Sequence, residues 1–159
     1  MVMIFGKKVK TAWVSVYTDY ESSLIKQLKK NGFDLNVTDD AAKAIIELEK
    51  NKYELIVAGS HLTVGDDIDD YFKVALKSCK NEDANQCYPY DCSKISLYFI
   101  DRIKQGRKSL LNRYTPLVVM DNFSKLNYAD REKYIIAGTN NIINGKMNLE
   151  EVINKLKFF

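Results

Sequence analysis

The run Leu55-Ile56-Val57-Ala58, set between Tyr53-Glu54 and the small polar group Gly59-Ser60-His61, constrains this chain more than any other stretch. It is too short for a helix and lacks the alternation of a strand with one wet face. It therefore reads as a central strand buried on both sides, the signature of a parallel sheet covered by helices. Gly59, Ser60 and His61 fall at its carboxyl end, where open α/β sheets keep their binding sites.

The flanking sequence supplies the rest of such a sheet. After a basic lead (Lys7, Lys8, Lys10), Ala12 to Tyr17 reads as strand one, with Asp19 as N-cap of the next helix. Glu21 stands in the first turn of that helix, Leu24, Ile25 and Leu28 form its apolar stripe, and Lys29, Lys30 and Gly32 suit its end. Phe33 to Val37 alternates as a short edge strand, and Asp39 or Asp40 caps a second helix with Ala41, Ala44, Ile45 and Leu48 on one face. Beyond the central strand, roughly 55 residues separate Gly59 from Pro116, where a whole βαβ unit needs about 30. An insertion over about 62–92 follows from that excess. Within it, Asp66 or Asp67 can cap a helix bearing Ile68, Tyr71, Phe72, Ala75 and Leu76, and Lys80 to Asp91 reads as a polar loop. Ser93 then caps a helix carrying Ile95, Phe99 and Ile103, which stops near Gly106. Leu117 to Met120 is a fourth strand behind Thr115-Pro116, Asn127 opens a helix that Gly138 ends, and Asn141 to Ile143 is a fifth strand. Asn148-Leu149-Glu150-Glu151 has capping-box spacing ahead of Val152, Ile153 and Leu156. Strands alternating with helices imply one α/β domain over 1–159: a three-layer αβα sandwich whose five-stranded parallel sheet has the flavodoxin-like order 2-1-3-4-5.

Composition removes several function classes. No stretch approaches the ~18 apolar residues of a membrane span, and Met1 to Phe5 is too short for a signal-peptide core, so a cytoplasmic protein is expected. A net charge of +3, with 24 basic residues scattered among 21 acidic ones, is a weak footprint for nucleic acid, which is not expected as a partner. The densest basic stretch, Arg102, Lys104, Arg107, Lys108 and Arg113, reads as a solvated helix face. Cys79, Cys87 and Cys92 are odd in number and contain no close C-x₂-C pair, so they read as reduced thiols; a zinc site made of them and His61 is the disfavoured alternative. Neither metal nor cofactor is expected. Tyr88 and Tyr90, flanking Pro89, are candidate anchors for a protein partner. Dinucleotide and P-loop signatures are absent, as are zincin and serine-elbow motifs.

Three segments together resemble the receiver (CheY-like) domain of bacterial two-component response regulators. Tyr53-Glu54-Leu55-Ile56-Val57 is similar to the family's "YDLVL" third strand, and Thr115-Pro116-Leu117-Val118-Val119-Met120 to its "TPVIML" fourth. Ala137-Gly138-Thr139-Asn140-Asn141-Ile142-Ile143, followed by Leu149-Glu150-Glu151-Val152, is similar to "AGADDYL" and "LEEL". In that family an aspartate ending strand three accepts a phosphoryl group, an acidic pair after strand one holds Mg²⁺, a Thr or Ser ends strand four, and a Lys ends strand five. The chemistry requires a carboxylate nucleophile, hard oxygen ligands and donors to the phosphoryl oxygens.

The resemblance puts Gly59 at the nucleophile position, Tyr17 and Thr18 at the acidic pair with Asp19 one place later, Asp121 at the Thr position, Gly145 with Lys146 beyond it at the Lys position, and Ile142 at the aromatic switch position. It therefore implies a pseudo-receiver, a signalling module that binds protein partners without aspartyl phosphorylation and without catalysis. A homodimer is compatible with this. The alternative from another class is a metal- or ligand-dependent enzyme or sensor using Asp19, His61 and Asp121, with Lys146, at the sheet edge.

Overall fold

The computed structural model describes residues 8–15, 21–64, 93–106, 111–121, 126–144 and 148–157. Their strands are β1 (Val9–Val14), β2 (Phe33–Thr38), β3 (Leu55–Gly59), β4 (Leu117–Asp121) and β5 (Asn141–Asn144). The helices are α1 (Ser22–Lys30), α2 (Ala41–Lys50), α3 (Ser93–Gln105), α4 (Tyr128–Ala137) and α5 (Leu149–Leu156). All four strand pairings are parallel, in the order β2-β1-β3-β4-β5. This is the expected flavodoxin-like sandwich.

The period of two in each strand divides the core into two layers. Ala12, Val14, Ile56, Ala58, Leu117, Val119 and Ile142 face Ala44, Ile45 and Leu48 of α2, Ile95, Phe99 and Ile103 of α3, and Tyr134 of α4. Trp13, Leu55, Val57, Val118, Met120 and Ile143 face Ile25 and Leu28 of α1 and Val152, Ile153 and Leu156 of α5. Every residue of β3 and β4 is buried, which explains why β3 reads as an unbroken apolar run.

The helix ends follow local chemistry. Asp40 caps α2 by accepting from Ala42 N and Lys43 N at 2.8 and 3.2 Å. Asn127 and Asp130 form a reciprocal capping box on α4. Gly138 ends α4 with φ of 115°, a left-handed conformation that disfavours a side chain, and a Cβ there would also come within 2.8 Å of Lys104 Cγ. Asn148 caps α5 through Glu151 N.

Several expectations need correction. Strand one begins and ends earlier than Ala12 to Tyr17: Val9 already pairs with Phe33, and Lys10 lies inside the strand with its ammonium 4.8 Å from the Tyr53 ring. A lysine is tolerated there because it is the one exposed position of an otherwise buried strand and its amine lies over an aromatic face. The residue before α1 is Glu21, which is buried and makes no side-chain cap; Asp19 lies outside the described residues. Ser93 is the first residue of α3 rather than its cap. The segment beyond His61 does not leave the fold at once, for Leu62 and Val64 are buried and Thr63 O accepts from Ala41 N at 2.9 Å. The helix expected near 66–76, the loop Lys80 to Asp91, Tyr88, Tyr90 and the three cysteines lie outside the described residues. Of the basic stretch, Arg107 and Lys108 lie outside the described residues, and the remainder is not simply a solvated face. Arg102 is buried and 3.3 Å from Glu49, and Arg113 Nε donates to Lys104 O at 3.0 Å, because cations suit the carbonyl end of α3.

Candidate functional site

The carboxyl edge of the sheet is where this topology places ligand sites, and β3 delivers Gly59, Ser60 and His61 to it. Gly59 sits in extended strand conformation opposite Met120. The backbone of Gly59 and Ser60 is bonded from α3, α4 and β4. Ser96 Oγ of α3 donates to Gly59 O at 2.7 Å, Ser60 N donates to Met120 O at 2.9 Å, and the Tyr134 hydroxyl of α4 donates to Ser60 O at 3.1 Å. Burial pushes the Tyr134 hydroxyl up to about 12, a rise opposed by its hydrogen bond with Ser96 and aided by the charges of Asp130 and Asp121, so it remains a donor at neutral pH. His61 is half-buried with Nδ1 3.2 Å from Ser60 Oγ.

Asp121 ends β4 beside Asn144 and is 1% exposed. A carboxylate so buried needs partners. Its Oδ2 accepts from Leu126 N at 3.2 Å and lies 3.8 Å from Arg131 Nη2, whose Nε also donates to Leu126 O at 3.4 Å. Asp121 thus fastens the approach to α4 onto the end of β4. On the other side of β3, Glu21 is a second buried carboxylate. It accepts from Trp13 Nε1 at 2.7 Å and Ser15 Oγ at 3.1 Å, tying the start of α1 to the end of β1.

Val14 pairs with Ala58, so Ser15 stands level with Gly59 where β1 leaves the sheet. Tyr17, Thr18, Asp19, Gly145 and Lys146 lie outside the described residues. Ile142, which the resemblance puts at the switch position, is buried in β5 on the face that packs against α2, α3 and α4. Among the described residues no three of His, Cys, Asp and Glu group as metal ligands, and of the alternative trio Asp19, His61 and Asp121 the first lies outside the described residues.

Glu21, Ser96 and Tyr134 are site residues that sequence reasoning missed. A glutamate in a first turn and a serine beside an apolar stripe are ordinarily wet. The available signal was the indole of Trp13, whose N–H requires an acceptor when the ring is buried.

This geometry defines the fold: a five-stranded flavodoxin-like (CheY-like) α/β sandwich with a polar edge at the ends of β3 and β4. Solved structures agree on the fold. The receiver domain of the Francisella response regulator 1452 matches with a TM-score of 0.65 at 12% identity, over 95% of this chain and 95% of that one. The chemotaxis response regulator CheY4 of Vibrio cholerae matches with a TM-score of 0.64 at 10% identity, over 96% and 98%. The receiver domain of a Pseudomonas aeruginosa sensor histidine kinase, with a magnesium ion coordinated in its active-site cleft, matches with a TM-score of 0.63 at 15% identity, over 95% and 96%. No protein-family model and no curated protein sequence matches the chain. Among the described residues no helix is long and apolar enough to cross a membrane.

Proposed function

We propose that this chain is a receiver-like signalling module that acts by binding a protein partner, without aspartyl phosphorylation and without catalysis of its own. The observation that carries this reading is the end of β3. Gly59, which the resemblance puts at the family's phospho-acceptor position, has its carbonyl bound by Ser96, and the buried carboxylate at the end of β4, Asp121, is held by Leu126 N and Arg131. A nucleophilic carboxylate must be free to attack, and Asp121 is committed to holding α4.

An exposed apolar cluster on α4 supports this reading. Tyr128, Ile135 and Ile136 of α4 are 83%, 60% and 73% exposed, and their i, i+7, i+8 spacing gathers them on one side of the helix. Large apolar side chains gathered on a surface helix suit a partner better than water. Asp121 and Tyr134 tie that helix to the ends of β4 and β3, so the face is presented on a rigid support.

Beryllofluoride with Mg²⁺, which mimics an aspartyl phosphate, tests the first half of the proposal. The amide NMR spectrum is expected to stay unchanged around Gly59, Ser60 and Asp121. Saturable shifts at those residues would refute it.

A further inference from the structure

At the amino edge of the sheet, opposite the site above, two lysines converge on one residue. Lys52, from the turn before β3, donates from Nζ to Thr115 Oγ1 at 3.0 Å, and Lys104, from the last turn of α3, donates from Nζ to Thr115 O. The Thr115 hydroxyl points its own hydrogen inward, with Tyr53 O and Asn112 Oδ1 both 3.1 Å away, so its outward lone pairs hold Lys52 in place. Among the described residues neither ammonium has a carboxylate partner, the nearby Glu49 being paired with Arg102, and Arg113 on Lys104 O is a third cation. Burial first, and the charge of Lys52 second, lower Lys104 to about 8. Each ammonium has three N–H donors and uses one on Thr115, which leaves four for other acceptors.

We propose that Lys52 and Lys104 form a seat for a small tetrahedral oxyanion of the phosphate class, with Thr115 fixing the separation of the two ammoniums. An oxyanion bridging them supplies the missing counter-charge and several acceptor oxygens, which a chloride ion does not. The seat is distinct from the edge at Gly59 and does not depend on the function proposed for it.

The test is an NMR titration of the intact chain with inorganic phosphate, against sodium chloride at matched ionic strength. Saturable shifts at the Lys52 and Lys104 side chains and the Thr115 amide are expected with phosphate alone. Phosphate should also move the Lys104 titration upward, since a bound anion favours the ammonium. Lys52→Met, at an exposed position that leaves folding intact, should abolish the saturable response. Equal shifts with chloride, no saturation, or an undiminished response in Lys52→Met would each overturn the proposal.

Discussion

Replacing Asn112 with alanine should unfold this protein more readily than any comparable change at a polar residue in its loops. Asn112 is fully buried before β4 and uses its whole amide. Nδ2 donates to Leu48 O at 2.6 Å and Asn51 O at 2.8 Å, closing the carboxyl end of α2, while Oδ1 accepts from Tyr53 N at 2.8 Å and from Thr115 Oγ1 at 3.1 Å. Alanine leaves one buried carbonyl, one part-buried carbonyl and one buried backbone N–H without these partners; the threonine hydroxyl keeps Tyr53 O. At about 1–3 kcal/mol for each unsatisfied group, and with water entering the vacated space to recover part, the net loss should be about 3–5 kcal/mol. That is a large share of the ~5–15 kcal/mol that a domain of this size has. Urea unfolding followed by circular dichroism measures it as a fall in midpoint at constant slope. Asn112→Asp keeps the shape but turns two donors into acceptors facing carbonyls, so it should lose at least as much at neutral pH. A loss below about 1 kcal/mol for both variants would show that Asn112 does not join the turn after α2 to the segment before β4.

Three further outcomes follow from the same structure. Glu21→Ala should destabilise by about 2 kcal/mol, because it strips the acceptor from buried Trp13 Nε1, and should change the emission of the chain's single tryptophan in the folded state; Glu21→Gln, which retains one acceptor oxygen, should do less of both. Unfolding free energy against pH should rise above about 8, where folded Lys104 has lost a proton that the unfolded chain keeps to 10.5, and fall above 10, where unfolded tyrosines ionise while Tyr53 and Tyr134 hold their protons to about 12. Lys104→Met should remove the rise, and Tyr134→Phe should reduce the fall. Ile135→Asp with Ile136→Asp should change stability by no more than about 0.5 kcal/mol per site in urea, since both side chains are exposed, yet abolish capture of a partner that wild-type protein retains on an affinity resin.

The amino-acid sequence by itself determined the alternation of elements and their order in the sheet. It did so because burial on both faces leaves Leu55 to Ala58 and Leu117 to Met120 as unbroken apolar runs, and because helix ends carry local codes such as Asn127 with Asp130, Gly138 and Asn148. The start of β1 was hidden because Lys10 inside a strand looks like part of a basic lead until Tyr53, 43 residues on, is seen beneath its ammonium. What only the tertiary structure decided is which polar side chains are inside. Glu21, Ser96, Asn112, Asp121 and Tyr134 find partners distant in sequence or across a loop, and no local pattern marks a carboxylate or amide as buried when its partner lies in another element. The same holds for Lys52 and Lys104, which are 52 residues apart in the chain and meet at Thr115 only because parallel crossovers bring every strand start to the same edge of the sheet.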